Sequence, residues 1–250
     1  MRPHTVGRFQ DIEVRIHPSI VLVVAWAVYH WGYGAGGGIG QLLYGLLFVV
    51  AVFLLVLVHE FGHGLMAKQF GLRVRDVTLL PFGGVARIEK MPASPRTEAM
   101  VALAGPMTNV ALAVISFPIL LIWFLVRGYS SLEVFNNYQL ESPSFGGFML
   151  YTFLANLMLA VVNLVPAFPM DGGRVLRALM SSAFGREFAT RAAVVTGVLF
   201  SVVIAAVALA NGDLLIPLIA IFLIAAALAE GRATRLEQQI RRLQIGQFAI

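Results

Sequence analysis

Long apolar stretches separated by short polar ones organise this chain of 250 residues. Six runs are apolar enough and, with one exception, long enough to cross a bilayer as helices: residues 20–31, 41–70, 99–126, 147–165, 192–210 and 214–229. The first is short and ends in Trp26, Tyr29 and Trp31, residue types that settle at a membrane–water interface. The glycine-rich stretch GYGAGGGIG after it reads as a flexible loop, and Asn211, Gly212 and Asp213 turn the last two runs into a hairpin. After the second run, PFGGVARI places Pro81 and two glycines before alternating apolar residues, which reads either as a short hairpin or as an ordinary turn. The expected fold is therefore an all-α polytopic membrane protein of about six transmembrane helices, with a short membrane-associated β-like loop after the second. It is read as one domain: a polar segment over 1–18, six spans within 19–229 and a tail over 230–250.

Composition sharpens this reading. Hydrophobic residues make up 59% of the chain and charged ones only 12%, with a mean hydropathy of +0.83, which excludes an ordinary soluble domain. The first 19 residues are mixed charged and polar and lack the short apolar core of a cleavable leader, so the first span is expected to stay. Of the 18 Lys and Arg residues, all but Arg127 fall on one side of the six-span arrangement. The positive-inside rule then makes that side, with both termini, cytoplasmic. The same asymmetry accounts for the net charge of +5, so no nucleic-acid partner is implied. The tail, with Leu236, Ile240 and Leu243 on one side, is either an amphipathic surface helix or a solvated end.

Within the second run lies LLVLVHEFGHGLMA, which carries His59, Glu60 and His63. Residues four apart share a helix face, so both histidines can aim a nitrogen at one metal ion, and Glu60 is placed to move a proton. Ionisable groups at this depth are costly and mark function. Cysteine is absent, so any metal is held by histidine and carboxylate. A third ligand is needed, and most acidic residues, among them Asp76, Glu89, Glu98, Glu133, Glu141 and Glu187, lie in loops or flanks. Asp171 differs: in NLVPAFPMDGGRV, Pro166 and Pro169 break a helix and Gly172 and Gly173 allow a tight return. Irregular backbone at membrane depth is tolerated where protein buries it or water reaches it, as at an active site. A cap on the helix that follows is the other reading of Asp171.

These segments together resemble the site-2 protease family of intramembrane zinc metalloproteases, peptidase family M50. HEFGH at 59–63 resembles its metal-binding motif, and NLVPAFPMDGG at 163–173 its second signature, in which the aspartate is the third ligand. LPFGGVARIE from Leu79 resembles the membrane-associated loop, AGPMTNVALA from Ala104 the AGP segment, and HPS at 17–19, more weakly, the entry to the first span. Neither a PDZ domain nor a CBS pair fits the available loops, so the resemblance is to the compact form.

The resemblance implies one zinc ion per chain on His59, His63 and Asp171, with Glu60 as the proton carrier. It also implies Asn163 as a donor to the developing oxyanion, whereas an interhelical hydrogen bond is that residue's plainer reading. Gly83 and Gly84 are expected in substrate binding, at a strand edge that accepts an unwound segment. The expected partners are transmembrane protein substrates and the lipid bilayer. A metal transporter or channel, and an inactive adaptor of the same fold, are the rivals; a glutamate beside a ligand histidine has no evident role in the first, and the intact set argues against the second.

The orientation has a direct test, because the chain has no native cysteine. Single cysteines at Ser94 and Ser182 are expected to react with an impermeant thiol reagent from the cytoplasmic side, and one at Ser142 from the opposite side. Labelling of Ser94 and Ser142 from the same side would require another span count.

Overall fold

The computed structural model describes residues 3–34, 37–89, 94–128 and 143–247, with side chains omitted at 215 and 237–247. Glu133, Glu141 and Ser142 lie outside the described residues, as do the side chains of Ile240 and Leu243. The order of elements is β1 (His4–Phe9), β2 (Ile12–Ile16), α1 (Ile20–Tyr29), α2 (Ile39–Gln69), β3 (Val74–Leu80), β4 (Gly83–Ile88), α3 (Pro95–Val126), α4 (Phe145–Leu164), α5 (Asp171–Phe184), α6 (Arg186–Ala210) and α7 (Leu215–Gln247). Five helices among the described residues, α2, α3, α4, α6 and α7, are long and apolar enough to cross a membrane. Helix α1 and the π-helical turn His30–Gly34 that continues it form a shorter apolar helix where sequence reading counted a sixth span. The chain is a multi-pass membrane protein, mostly helical, with one small sheet.

The chain divides into two compact units, one of Met1–Met91 with Ala104–Val161 and one of Pro92–Leu103 with Val162–Ile250. In the first, the strands form a single sheet in the order β1-β2-β3-β4. Strands β1 and β2 are antiparallel, joined by a two-residue turn at Gln10 and Asp11, both with positive φ (45° and 65°), the backbone that suits right-twisted strands. Strand β3 runs parallel to β2 and antiparallel to β4. Of the two readings left open for PFGGVARI the structure shows the hairpin, with β3 beginning earlier, at Val74, and with N-terminal partners that sequence reading did not foresee. The IEVRI of β2 alternates with period two, yet it is only five residues long and charged on one side, too weak a pattern to separate from a polar leader.

Asp76 pins this sheet. It is fully buried in β3, accepts a hydrogen bond from Thr78 Oγ1 at 2.8 Å, and lies 3.5 Å from Arg15 on β2 and 3.8 Å from Arg87 on β4. Sequence reading placed Asp76 in a loop. Its hydrogen bond to Glu13, and then the charge of Asp76, raise the pKa of Arg15, so the cation persists wherever the two carboxylates are ionised.

In the second unit, α4 stops at Leu164 and α5 starts at Asp171, so the two prolines between them interrupt the helix as expected. The intervening backbone finds its partners inside the protein. Phe168 N–H donates to Ala193 O at 3.0 Å and Thr196 Oγ1 to Pro166 O at 3.0 Å, while Phe168 packs with Ala193 and Ala227. Gly197 makes this approach possible, since a side chain there would overlap the Phe168 carbonyl. Helix α7 continues without a break beyond residue 229, so the tail prolongs the last span as one helix up to Gln247.

Arg177, on α5, is the largest buried charge of this unit. Its Nε donates to Glu98 Oε1 at 2.7 Å, its Nη1 to Thr234 Oγ1 at 3.0 Å, and its guanidinium lies 4.9 Å from the centre of the Phe168 ring. Arg186 adds a second cation 3.2 Å from Glu98. Glu98, which sequence reading assigned to a flank, is thus a buried counterion in the first turn of α3. Removing Arg177 leaves the buried Glu98 with the more exposed Arg186 as its partner, so Arg177→Ala is expected to destabilise the folded protein by more than about 1 kcal/mol, but by less than the ~3–5 kcal/mol of a fully unpaired buried charge. Reversible denaturation in mixed micelles measures it, and a loss under about 1 kcal/mol would mean that water reaches Glu98.

Candidate metal centre

Helix α2 presents His59, Glu60 and His63 on its buried side, all less than a tenth exposed. The i, i+4 spacing brings His59 Nε2 to 3.1 Å from His63 Nε2. Two nitrogens sharing one tetrahedral ion at about 2.0–2.1 Å would stand roughly 3.3 Å apart, so the observed separation fits a shared metal.

The proton on His59 can be deduced from its neighbours. Asn156 Nδ2 is 2.8 Å from the Asn109 backbone carbonyl, a group that only accepts, so an amide nitrogen faces it. Asn156 Oδ1 is therefore the atom facing Asn109, and Asn109 donates to it through Nδ2 at 2.7 Å. Asn109 is left with Oδ1 toward His59 Nδ1, at 2.7 Å, and an oxygen there requires N–H on the ring. His59 is consequently the Nδ1–H tautomer, with its Nε2 lone pair on the side of His63 Nε2. An outer carbonyl or carboxylate that orients a metal-binding histidine in this way is a recurrent feature of metal sites.

Gly105, on α3, lets that helix approach both imidazoles closely. A Cβ at that position would lie 2.8 Å from His59 Nε2 and closer still to the His63 ring. Further along the same contact, a Cβ at Gly62 would meet Ala104 O at 2.8 Å, so small residues let α2 and α3 approach closely. The residues present suit a zinc ion: two convergent imidazoles, one of them held by an amide oxygen on its other nitrogen.

Glu60 points toward the sheet. Its Oε2 accepts a hydrogen bond from Ala86 N–H, on β4, at 2.8 Å. Strand β4 is an edge strand among the described residues, so this N–H is not taken up by the sheet. Gly84, one pleat before, sits directly against Glu60, whose side chain a Cβ would overlap. Gly83 has open space around its Cα and a φ of 140°, which an L side chain rarely adopts. The structure thus places Gly84 at the glutamate and Gly83 at the turn into the strand.

Asn163 and Asp171 belong to the second unit. Asn163 is half-buried in the last turn of α4. Asp171 opens α5; the cap position is Met170, with extended backbone at φ −69° and ψ 161°, so Asp171 is the first helical residue and not the cap. A carboxylate in a first turn is favoured by the helix dipole. Gly172 and Gly173 are packed against the backbone of Leu164, Val165 and Ala167, which explains why this turn needs two glycines. His17 is structural: Ser19 N–H donates to its Nδ1 at 3.2 Å, at the entry to α1.

Sequence reading missed Asn109 and Asn156. Both are amides within apolar spans, and that cost was itself the available signal.

Comparison with known proteins identifies a family for the chain. The family model described as Peptidase family M50 matches residues 47–142 and 130–208. A zinc metalloprotease of Methanocaldococcus jannaschii is 32% identical over 238 residues, covering 95% of this chain and 63% of that protein. Stage IV sporulation protein FB of Bacillus subtilis is 29% identical over 190 residues, covering 76% of this chain and 55% of that protein. The chain thus spans less than two thirds of the length of either relative. The solved site-2 protease from Methanocaldococcus jannaschii has the same fold, with a TM-score of 0.66 at 24% identity over 92% of this chain and 95% of that one.

The asparagine relay makes a measurable claim. Asn109→Ala is expected to weaken zinc binding by about 10–100-fold, the usual effect of losing a histidine's outer partner. Competition with a chromophoric chelator reads the affinity without reference to activity. Asn109→Asp, which retains an acceptor for His59 Nδ1–H, should recover much of it.

Proposed function

The chain belongs to peptidase family M50, and we propose that it is a zinc metalloendopeptidase that hydrolyses peptide bonds within or near the transmembrane segments of membrane protein substrates. The observation that carries this reading is the buried pair of Nε2 atoms 3.1 Å apart on a membrane helix, with Glu60 beside the first. His59 and His63 would hold one zinc ion together with Asp171, the carboxylate of the proline-broken, glycine-flanked segment. Bound zinc supplies Lewis acidity toward a carbonyl and lowers the pKa of water.

The remaining steps belong to the chain. Glu60 takes a proton from the attacking water and returns it to the leaving amine. Its carboxylate engages the peptide N–H of Ala86, which puts it beside the edge strand β4. Asn163 donates from its amide to the oxyanion that forms on the scissile carbonyl. A substrate helix hides its carbonyls and must first unwind; the extended segment then adds to the free edge of β4, beside Gly83 and Gly84. The basic-residue asymmetry supports cytoplasmic termini and a cut near the cytoplasmic end of the target.

Two substitutions separate the assigned roles. Glu60→Gln should keep zinc stoichiometry near that of the unaltered protein while lowering turnover by about 10²–10⁴-fold. Asp171→Ala should lose zinc and activity together, as elemental analysis of the purified protein would register. Zinc content unchanged in Asp171→Ala would remove that residue from the ligand set.

Unwinding predicts a dependence on the substrate. Gly and Pro cost a helix interior about 1 and 3 kcal/mol relative to Ala, so introducing them near the cut should accelerate cleavage of a model single-pass substrate. Hydrolysis of a short soluble peptide of the same sequence should not respond. Gly84→Val, whose side chain would collide with Glu60, should impair both substrates alike.

A further inference from the structure

Helices α6 and α7 form an antiparallel hairpin turned at Asn211–Asp213, so the beginning of α6 lies beside the part of α7 where its apolar run gives way to charge. Between them opens a groove of about 330 Å3 within the second unit. Its lining is ordered along the helix axes. On α6, Arg191 comes first and Val194 and Val195 follow, three and four residues on, on the same face. On α7 the order is reversed, with Leu228 preceding Arg232 and Arg235. The two gradients coincide: valines and leucine lie toward the apolar ends of both helices, and three arginines toward the polar ends. Gly231 gives the groove its depth, since a Cβ there would already stand 3.1 Å from Val194 Cγ2.

The charge is unbalanced. Glu187 is the one acidic lining residue, and it is engaged by Arg191 at 2.7 Å, one helical turn away. Arg232 and Arg235 have no ion pair among the described residues. Neighbouring Glu230 is turned to Arg177, 3.5 Å away, and does not line the groove. Two guanidiniums without an ion pair among the described residues therefore stand at the polar end of an apolar channel, where the apolar run of α7 gives way to charge.

We propose that this groove is a binding site for an anionic phospholipid: the headgroup phosphate pairs with Arg232 and Arg235, and the acyl chain lies along Val194, Val195 and Leu228. Guanidinium forks match phosphate oxygens in pairs. The apolar floor selects a lipid over a free phosphate ion, which would leave it uncovered. The site is independent of the proteolytic reading and needs only that the two helices span a membrane.

The test uses the whole protein in nanodiscs containing phosphatidylcholine with a minor fraction of either phosphatidylglycerol or spin-labelled phosphatidylglycerol. Association of the anionic lipid relative to phosphatidylcholine is read from the motionally restricted spectral component, and retained lipids from native mass spectrometry. A double Arg232→Gln, Arg235→Gln variant should lose about 5–30-fold in relative affinity, as expected for two basic residues at a membrane surface. Val195→Trp changes no charge but fills the apolar floor, and it should also displace the retained lipid. Circular dichroism and thermal unfolding in lipid-free detergent establish that both variants are folded; where one is not, Val195→Leu and the single Arg235→Gln replace it. Equal association of anionic and zwitterionic lipid with the unaltered protein would overturn the proposal. So would loss of selectivity in the arginine variant without any effect of filling the groove, which would mean general surface electrostatics. Stabilisation by inorganic phosphate as strong as that by the lipid would overturn it in favour of a simple anion site.

Discussion

A polar atom held away from water must find its partner inside the protein, and in an apolar chain this requirement governs nearly every informative residue. The backbone meets it through helices and one sheet. Side chains meet it in small closed circuits, each member of which determines the next. His59, Asn109 and Asn156 form one such circuit, in which a backbone carbonyl that can only accept dictates two amide orientations and finally the tautomer of a histidine. Arg177, Glu98, Arg186 and Thr234 form another around α5. In water these groups would exchange partners freely; in an apolar surrounding the alternatives are too costly, so geometry becomes chemistry. A lone pair on His59 Nε2 is a consequence of where Asn156 stands.

This constraint also explains which features were legible beforehand. Long apolar runs report spans directly, and five of the six anticipated runs are helices of spanning length. HEFGH was legible because both histidines recur at helical spacing, so the motif and the element that displays it coincide. The break after α4 was legible because proline removes a backbone donor wherever it sits. The relay was not, because Asn109 and Asn156 are 47 residues apart and nothing local links them. The same holds for Glu98 and Arg177: each resembles a flank charge until long-range packing buries both. The β1–β2 hairpin escaped for a different reason. Its strands are short and half-exposed, and their order comes from pairing β2 with β3, on the far side of two helices in the chain.

The edge of β4 is where the two means of satisfying backbone meet. A free edge is ordinarily a liability, blunted by charge or covered by another element. Here a single carboxylate covers it, since Glu60 Oε2 accepts the Ala86 N–H that a further strand would otherwise take. The contact is possible only because Gly84 has no side chain to hold Glu60 away. If an incoming extended segment pairs with this edge, it competes with Glu60 for the same N–H. Pairing would then loosen the hold of Ala86 on one carboxylate oxygen as a peptide bond arrives, while the other oxygen can accept a proton with or without that contact. Strand addition and reorientation of Glu60 would thereby be coupled on the proposed mechanism, because one backbone donor cannot fully serve two acceptors.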